Sequence, residues 1–193
     1  MQEFNFSNFH FLTPKIEREN INFDLSRMNG ALEKLNNPCL KIPAVQVIGT
    51  NGKGSITAFL ESIICSAKID VGVTTSPHLI DICERIRVNK SKINADEFRN
   101  LLIQVEEITK EFRLSPFEKI ICCGLKFFDS KRVNLLILEA GLGGRLDATT
   151  AHKYRPIIAI GKIGIDHKEF LGDSIEEITH EKLATINKGA IVV

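Results

Sequence analysis

The stretch VIGTNGKGSITAF, residues 47–59, concentrates residue types that hold phosphate. Gly49, Gly52 and Gly54 permit tight turns and let backbone N–H groups approach an anion closely. Thr50 and Asn51 lie inside the turn, Lys53 adds a mobile positive charge, and Ser55 offers a hydroxyl to a magnesium ion. An apolar run precedes the loop. A helical pattern begins near Lys53, which aims a helix N-terminus at the same anion. The spacing departs from the regular G-x-x-x-x-G-K-[ST] loop. Val47 stands where the first glycine belongs and Gly54 where the hydroxyl belongs, so Ser55 comes one residue late. A glycine-rich turn without a ligand is the alternative; the flanking elements, with Lys and Ser in place, favour phosphate.

Other chemically capable residues are spread along the chain. Glu139 closes the apolar run NLLILE, where a carboxylate is costly unless paired or metal-bound; a solvated acid at a strand end is the alternative. His167 follows Asp166 in a loop, either as a structural histidine or as a ligand. Lys182 shares a helical stripe with Ile175, Ile178 and Ile186, where a lysine would by default snorkel to water. Arg145 and Asp147 follow the glycines of GLGG; they form a structural pair or shape a cleft. Arg85 and Arg87 alternate outward in a short strand, towards an anion or towards solvent.

The elements that must position these groups follow from periodicity. Strands are predicted at 42–48, 68–78, 84–89, 133–141 and 157–164, with a further strand beginning in the final AIVV. Helices are predicted at 24–35, from Ile56 to Ala67, from Phe98 to Phe112, from Phe117 to Phe128 behind a Ser115-Pro116 start, and at 174–187 behind Ser174. Alternation of strand and helix predicts an α/β fold with a three-layer, mostly parallel sheet of the phosphate-loop type.

The 193 residues suit one domain, and 44% hydrophobic content can fill a core. A net charge of +1 without a basic stripe or aromatic ladder argues against nucleic acid as a partner. The lack of an 18-residue apolar run argues against a membrane. The N-terminus lacks a secretory pattern, and Cys39, Cys65, Cys83, Cys122 and Cys123 match no zinc spacing. A cytoplasmic protein with reduced thiols is expected.

GTNGKGS resembles the ATP loop of the Mur ligase superfamily, and its G-K-G-S ending is similar to the branch of folylpolyglutamate synthase and dihydrofolate synthase. TTSPHLIDICERIRVN (74–89), LEAGLGGRLDATT (138–150) and IGIDHKEFLGDSIEEITHEK (163–182) resemble that family's further signatures in the same order, and LSRMNGALEKLNNP (25–38) resembles its leading helix. The resemblance implies that residues 49–55 bind ATP and that Ser55, Ser76 and Glu139 hold one magnesium ion. It implies that His167 helps hold a second, with Lys182 carrying a carbon dioxide adduct as a carbamate ligand. Lys53, His167 and Lys182 are thus implied as catalytic groups, and Pro77, His78, Arg85, Arg145 and Asp147 as the surroundings of the substrate.

The implied reaction ligates L-glutamate to the carboxylate of a folate or dihydropteroate through an acyl phosphate. The family is about twice this long. Residues 1–40 are expected to form an extension and leading helix, and 41–193 a truncated ATP-binding domain lacking the C-terminal glutamate-ligase domain. Ligation is then expected to need a separately encoded C-terminal half; an inactive or partner-dependent nucleotide-binding remnant is the alternative. Two segments depart from the pattern. EKLATINKG replaces the usual EKAGIIKPG, and Leu183 and Thr185 are expected to crowd the carbamate. TTAHKYRP (149–156) is more polar than a signature-to-strand connection requires.

Overall fold

The computed structural model describes residues 24–193, so the expectation for the first part of the N-terminal extension lies outside the described residues. In chain order the elements are helix α1 (Ser26–Lys34), strand β1 (Ala44–Ile48), α2 (Lys53–Ser66), β2 (Val71–Thr74), β3 (Ile86–Val88), β4 (Ser91–Lys92), α3 (Ala95–Thr109), α4 (Pro116–Lys131), β5 (Leu135–Glu139), β6 (Ile157–Ile160), α5 (Lys168–Leu171), α6 (Ile175–Leu183) and β7 (Ile191–Val192). They form one seven-stranded sheet in the order β4-β3-β2-β5-β1-β6-β7. The run from β2 to β7 is parallel, while β3 and β4 add antiparallel at one edge.

Helices cover both faces of the parallel strands. Val45, Val47, Val73 and Ile137 pack against Ile56, Leu60 and Ile64 of α2 on one face. Leu136 and Leu138 join Met28, Phe98, Leu102, Ile121 and Phe128 from α1, α3 and α4 on the other. Every residue of β1 is buried, which explains a nearly continuous apolar strand rather than an alternating one. All five cysteines are free; Cys122 and Cys123 fill the core within α4.

Differences from expectation occur where tertiary contacts outweigh periodicity. The extended run 68–78 pairs only over Val71–Thr74. The run 84–89 opens as a 3-10 turn, Ile82–Arg85, capped by Asp81 and Glu84, before β3 begins. Arg85 therefore belongs to the turn and is 1% exposed, which overturns its outward placement. Helix α6 stops at Leu183, so Ile186 lies beyond it, and Ile175 faces solvent. Of the expected stripe, Ile178 and Lys182 are the members that are buried.

The Ser115-Pro116 start is realised as a reciprocal cap. Ser115 Oγ accepts the Glu118 N–H, and Glu118 accepts the Ser115 N–H and pairs with Arg27 of α1 at 3.0 Å. Ser115→Ala is expected to lower unfolding free energy by about 1 kcal/mol in urea titrations.

Candidate active site

The loop after β1 turns through Gly52, whose φ of +84° at the N-cap of α2 suits glycine. Lys53 folds back over the loop, and its Nζ donates to the carbonyls of Gly49 (2.9 Å) and Thr50 (3.2 Å). Asn51, Gly52, Gly54 and Ser55 are exposed at the mouth of the loop. Glu139 ends β5 in register with Val47, so it arrives at the carboxyl edge of the sheet beside the loop. A side chain at Gly54 would stand 4.0 Å from Glu139 Oε1. Lys53 lies within electrostatic reach of Glu139, and the Ser76 backbone N–H donates to it. Lys53, Gly54, Ser76 and Glu139, far apart in sequence, thus share one corner.

Glu139 is 3% exposed, and its Oε2 has no hydrogen-bond partner among the described residues. Burial pushes its pKa up to about 7 against the opposing pull of Lys53, the Ser76 N–H and Arg87. An unpartnered carboxylate oxygen next to a glycine-rich loop that carries Lys53 fits a divalent cation, which would bring charge and ligands at once. No cluster of three His, Cys, Asp or Glu side chains exists among the described residues. Such an ion would therefore depend on hydroxyl, phosphate and water oxygens besides Glu139.

Lys182 reaches the same loop from α6. It is 4% exposed rather than snorkelling, and its Nζ donates to the Gly49 carbonyl at 3.2 Å, the oxygen that also accepts from Lys53. Burial first, and then the charge of Lys53, lower its pKa to about 8. The close approach needs Gly144. A Cβ there would lie 2.4 Å from the Lys182 carbonyl oxygen. Asp166 is near enough to favour the Lys182 ammonium, which brings the His167 loop to this side of the site. His167 itself is half-buried, with Nε2 3.6 Å from Asp166.

The remaining residues hold the walls. Asp147 is buried; its carboxylate accepts from the N–H groups of Gly141, Leu142 and Thr149 and from the Thr149 hydroxyl, so it organises its own loop. Arg145 pairs with Glu181 at 3.0 Å, not with Asp147. Arg85 donates to His78 Nδ1 at 2.9 Å and so holds that ring behind an exposed Pro77. Arg87 is engaged by Glu61 of α2 at 2.9 and 3.1 Å and also donates to Thr75 and the Glu84 carbonyl, so it does not project freely. Sequence alone gave no sign of Glu61, a buried acid inside an apolar helix face, nor of Gln46 and Arg155. The Thr185 hydroxyl is held by Gln46 and Arg155.

The fold is shared with known proteins, although no family model matches the chain. The dihydrofolate synthetase of Saccharomyces cerevisiae is 35% identical over 173 residues, covering 88% of this chain and 40% of that protein. The dihydrofolate synthase/folylpolyglutamate synthase of Bacillus subtilis is 38% identical over 177 residues, 88% of this chain and 41% of that protein. Among solved structures, E. coli FolC in complex with DHPP and ADP superposes with a TM-score of 0.83 at 32% identity over 89% of this chain and 42% of that one. The chain matches the dihydrofolate synthase/folylpolyglutamate synthase family over the N-terminal part of that family's full-length members. A bifunctional member with Mn, AMPPNP and L-glutamate bound gives a TM-score of 0.84 at 32% identity over 92% of this chain and 44% of that one. The fold matches part of the Mur-ligase-like ATP-binding domain of these synthases. The chain spans about two fifths of the length of the curated relatives it matches. No described helix is long and apolar enough to cross a membrane.

The buried carboxylate gives a pH signature. The folded pKa of Glu139 exceeds its ordinary 4.5, so its penalty is absent below that value, grows as pH rises to about 7, and then stays constant. The Lys182 penalty is complete below about 8 and adds no slope in that window. In metal-free buffer, Glu139→Gln should therefore gain Tm relative to the parent between pH 4.5 and 7, read by thermal melts across the series.

Proposed function

We propose that this chain is the nucleotide-binding part of an ATP-dependent ligase that joins L-glutamate to the carboxylate of a folate or dihydropteroate. The observation that carries the proposal is the buried, half-unpartnered Glu139 carboxylate set against the Lys53 loop. The nucleotides, manganese and L-glutamate bound by the solved relatives support it.

In this reading the N–H groups of residues 49–55 and the Lys53 ammonium bind the ATP phosphates. Lys53 exchanges its contacts with the Gly49 and Thr50 carbonyls for the γ-phosphate. Ser55, Ser76 and Glu139 would hold one magnesium ion; His167 and a carbamate on Lys182 would hold a second. Bound magnesium supplies charge neutralisation on the transferred phosphoryl group. The substrate carboxylate attacks the γ-phosphorus, ADP leaves, and the glutamate amine displaces phosphate from the acyl phosphate. Pro77 and His78 border the acceptor. Arg145 and Asp147 shape the wall through Glu181 and the glycine loop. The second domain of the relatives would complete the cleft, so the second substrate and the exclusion of water depend on that portion.

Calorimetric titration with Mg-ATP should show binding by this chain. Lys53→Ala should weaken it by about tenfold or more, because a hydrogen bond to a charged group contributes about 1.5–3 kcal/mol. Glutamate-dependent ADP release with a pteroate or folate acceptor should appear once a C-terminal half is supplied. Binding without such release under any pairing would favour a nucleotide-binding module that ligates nothing. Native intact mass in bicarbonate should show one added carbon dioxide that is lost in Lys182→Met; an unmodified amine in the ATP-bound protein would exclude the carbamate.

A further inference from the structure

Behind the site lies a buried polar network that none of the proposed chemistry uses. Gln46 is 0% exposed in the middle of β1, where a parallel strand ordinarily carries an apolar residue. Its Nε2 donates to the hydroxyls of Thr149 and Thr150, both at 2.8 Å, and its Oε1 accepts from the Thr185 hydroxyl at 2.8 Å. Thr150 in turn donates to the Gly144 carbonyl at 2.7 Å. Arg155, 5% exposed just ahead of β6, closes the network. Its Nε donates to the His152 carbonyl at 2.8 Å, and one terminal nitrogen donates to Gln46 Oε1, to the Thr185 hydroxyl at 2.7 Å and to the Thr185 carbonyl at 3.1 Å.

None of these Arg155 hydrogen-bond partners is a carboxylate, and burial lowers its pKa against the weaker opposing pull of the Asp147 charge. A buried cation without a carboxylate in direct contact is a poor device for stability alone; an apolar side chain of similar volume would serve better. What the planar fork can do, and an apolar group cannot, is fix several acceptors in one geometry. One of them is a carbonyl just past the C-terminal end of α6, where positive charge is favourable. Thr185 follows Lys182 by three residues, and its N–H reaches back to the Lys182 carbonyl at 3.4 Å. The same Lys182 carbonyl, with its Cα, rests on Gly144, the far end of the same network.

We infer that Arg155 is a positioning residue: with Gln46 and Thr185 it locks the end of α6 against the Gly144 turn and so fixes the depth at which Lys182 enters the nucleotide loop. The inference rests on the proposed reading of Lys182 as part of the site. The need for a lock is physical. In the unmodified chain, before any carbamate forms, Lys182 sits beside Lys53 on a shared carbonyl, and the two ammonium charges repel. Without a fixed backbone, Lys182 relaxes by swinging to water.

The test is trace acetylation of the full chain with acetic anhydride at fixed pH, with Lys182 labelling measured by peptide mass spectrometry relative to exposed Lys168. Arg155→Met and Thr185→Val should each raise that ratio by about tenfold, as expected when hydrogen bonds to a charged group are lost from a local opening equilibrium. The double variant should label no faster than Arg155→Met alone, because the two side chains act through one shared bond. Ser115→Ala, which destabilises a distant cap, should leave the ratio unchanged. An unchanged ratio in Thr185→Val, or in Arg155→Met at a lowered Tm, would overturn the inference and leave Arg155 a packing residue. If Arg155→Met does not fold, Thr185→Val decides alone. The labelling needs no nucleotide. Failure of the parent chain to bind ATP would sink the proposed function without touching this result.

Discussion

The placement of one carboxylate constrains everything around it. Glu139 ends a fully buried stretch of β5, has one oxygen without a partner among the described residues, and has been moved far from its ordinary ionisation by burial. Such a group survives in a fold when neighbouring positive charge or a ligand compensates it. Here the neighbours are Lys53, the Ser76 N–H and Arg87. The loop after β1, the loop after β2 and the turn into β3 must all hold their places for that compensation to exist. Glu61 serves this end by tying Arg87 to α2, the helix that the phosphate loop opens.

A second constraint acts from the opposite side. Two lysines donate to the Gly49 carbonyl, so the loop is stabilised by cations that repel one another. Under the proposed function, that arrangement is poised for anions. A polyphosphate entering the loop would replace a weak carbonyl acceptor with full negative charge. The Gly144 turn lets α6 come close enough for Lys182 to take part, and the network around Gln46 and Arg155 occupies the space behind it. The polarity of TTAHKYRP is thereby explained. Its threonines, His152 and Arg155 are interior groups with partners, while Lys153 and Tyr154 face solvent.

Much of the fold was legible because its signals are local. Strand, glycine loop and amphipathic helix follow one another within 44–66, and the Ser115 and Ser174 caps announce helix starts through side chains three residues apart. Short pieces escaped. The two-residue β4 and the four-residue α5 are too brief to show a period. The end of α6 was placed too far along because Ile186 continues the apolar spacing after the helix has stopped. Arg85 and Arg87 looked equivalent in the alternating run. The turn at Ile82–Arg85 separates them, burying one against His78 and pairing the other with Glu61.

The sequence by itself determined the α/β class, the glycine-rich loop at residues 49–55 with its lysine and serine, and the identity of Glu139, His167 and Lys182 as groups worth placing, since each depends on residue type and near-neighbour spacing. The tertiary structure alone decided which of them meet. It set Glu139 beside Gly54 through strand register, carried Lys182 to Gly49 across 133 residues of chain, and enclosed Gln46, Arg155 and Thr185 in one network. Contacts of that range leave no periodic trace, because each partner obeys the local rules of its own element while the bond between them is set by how the elements pack.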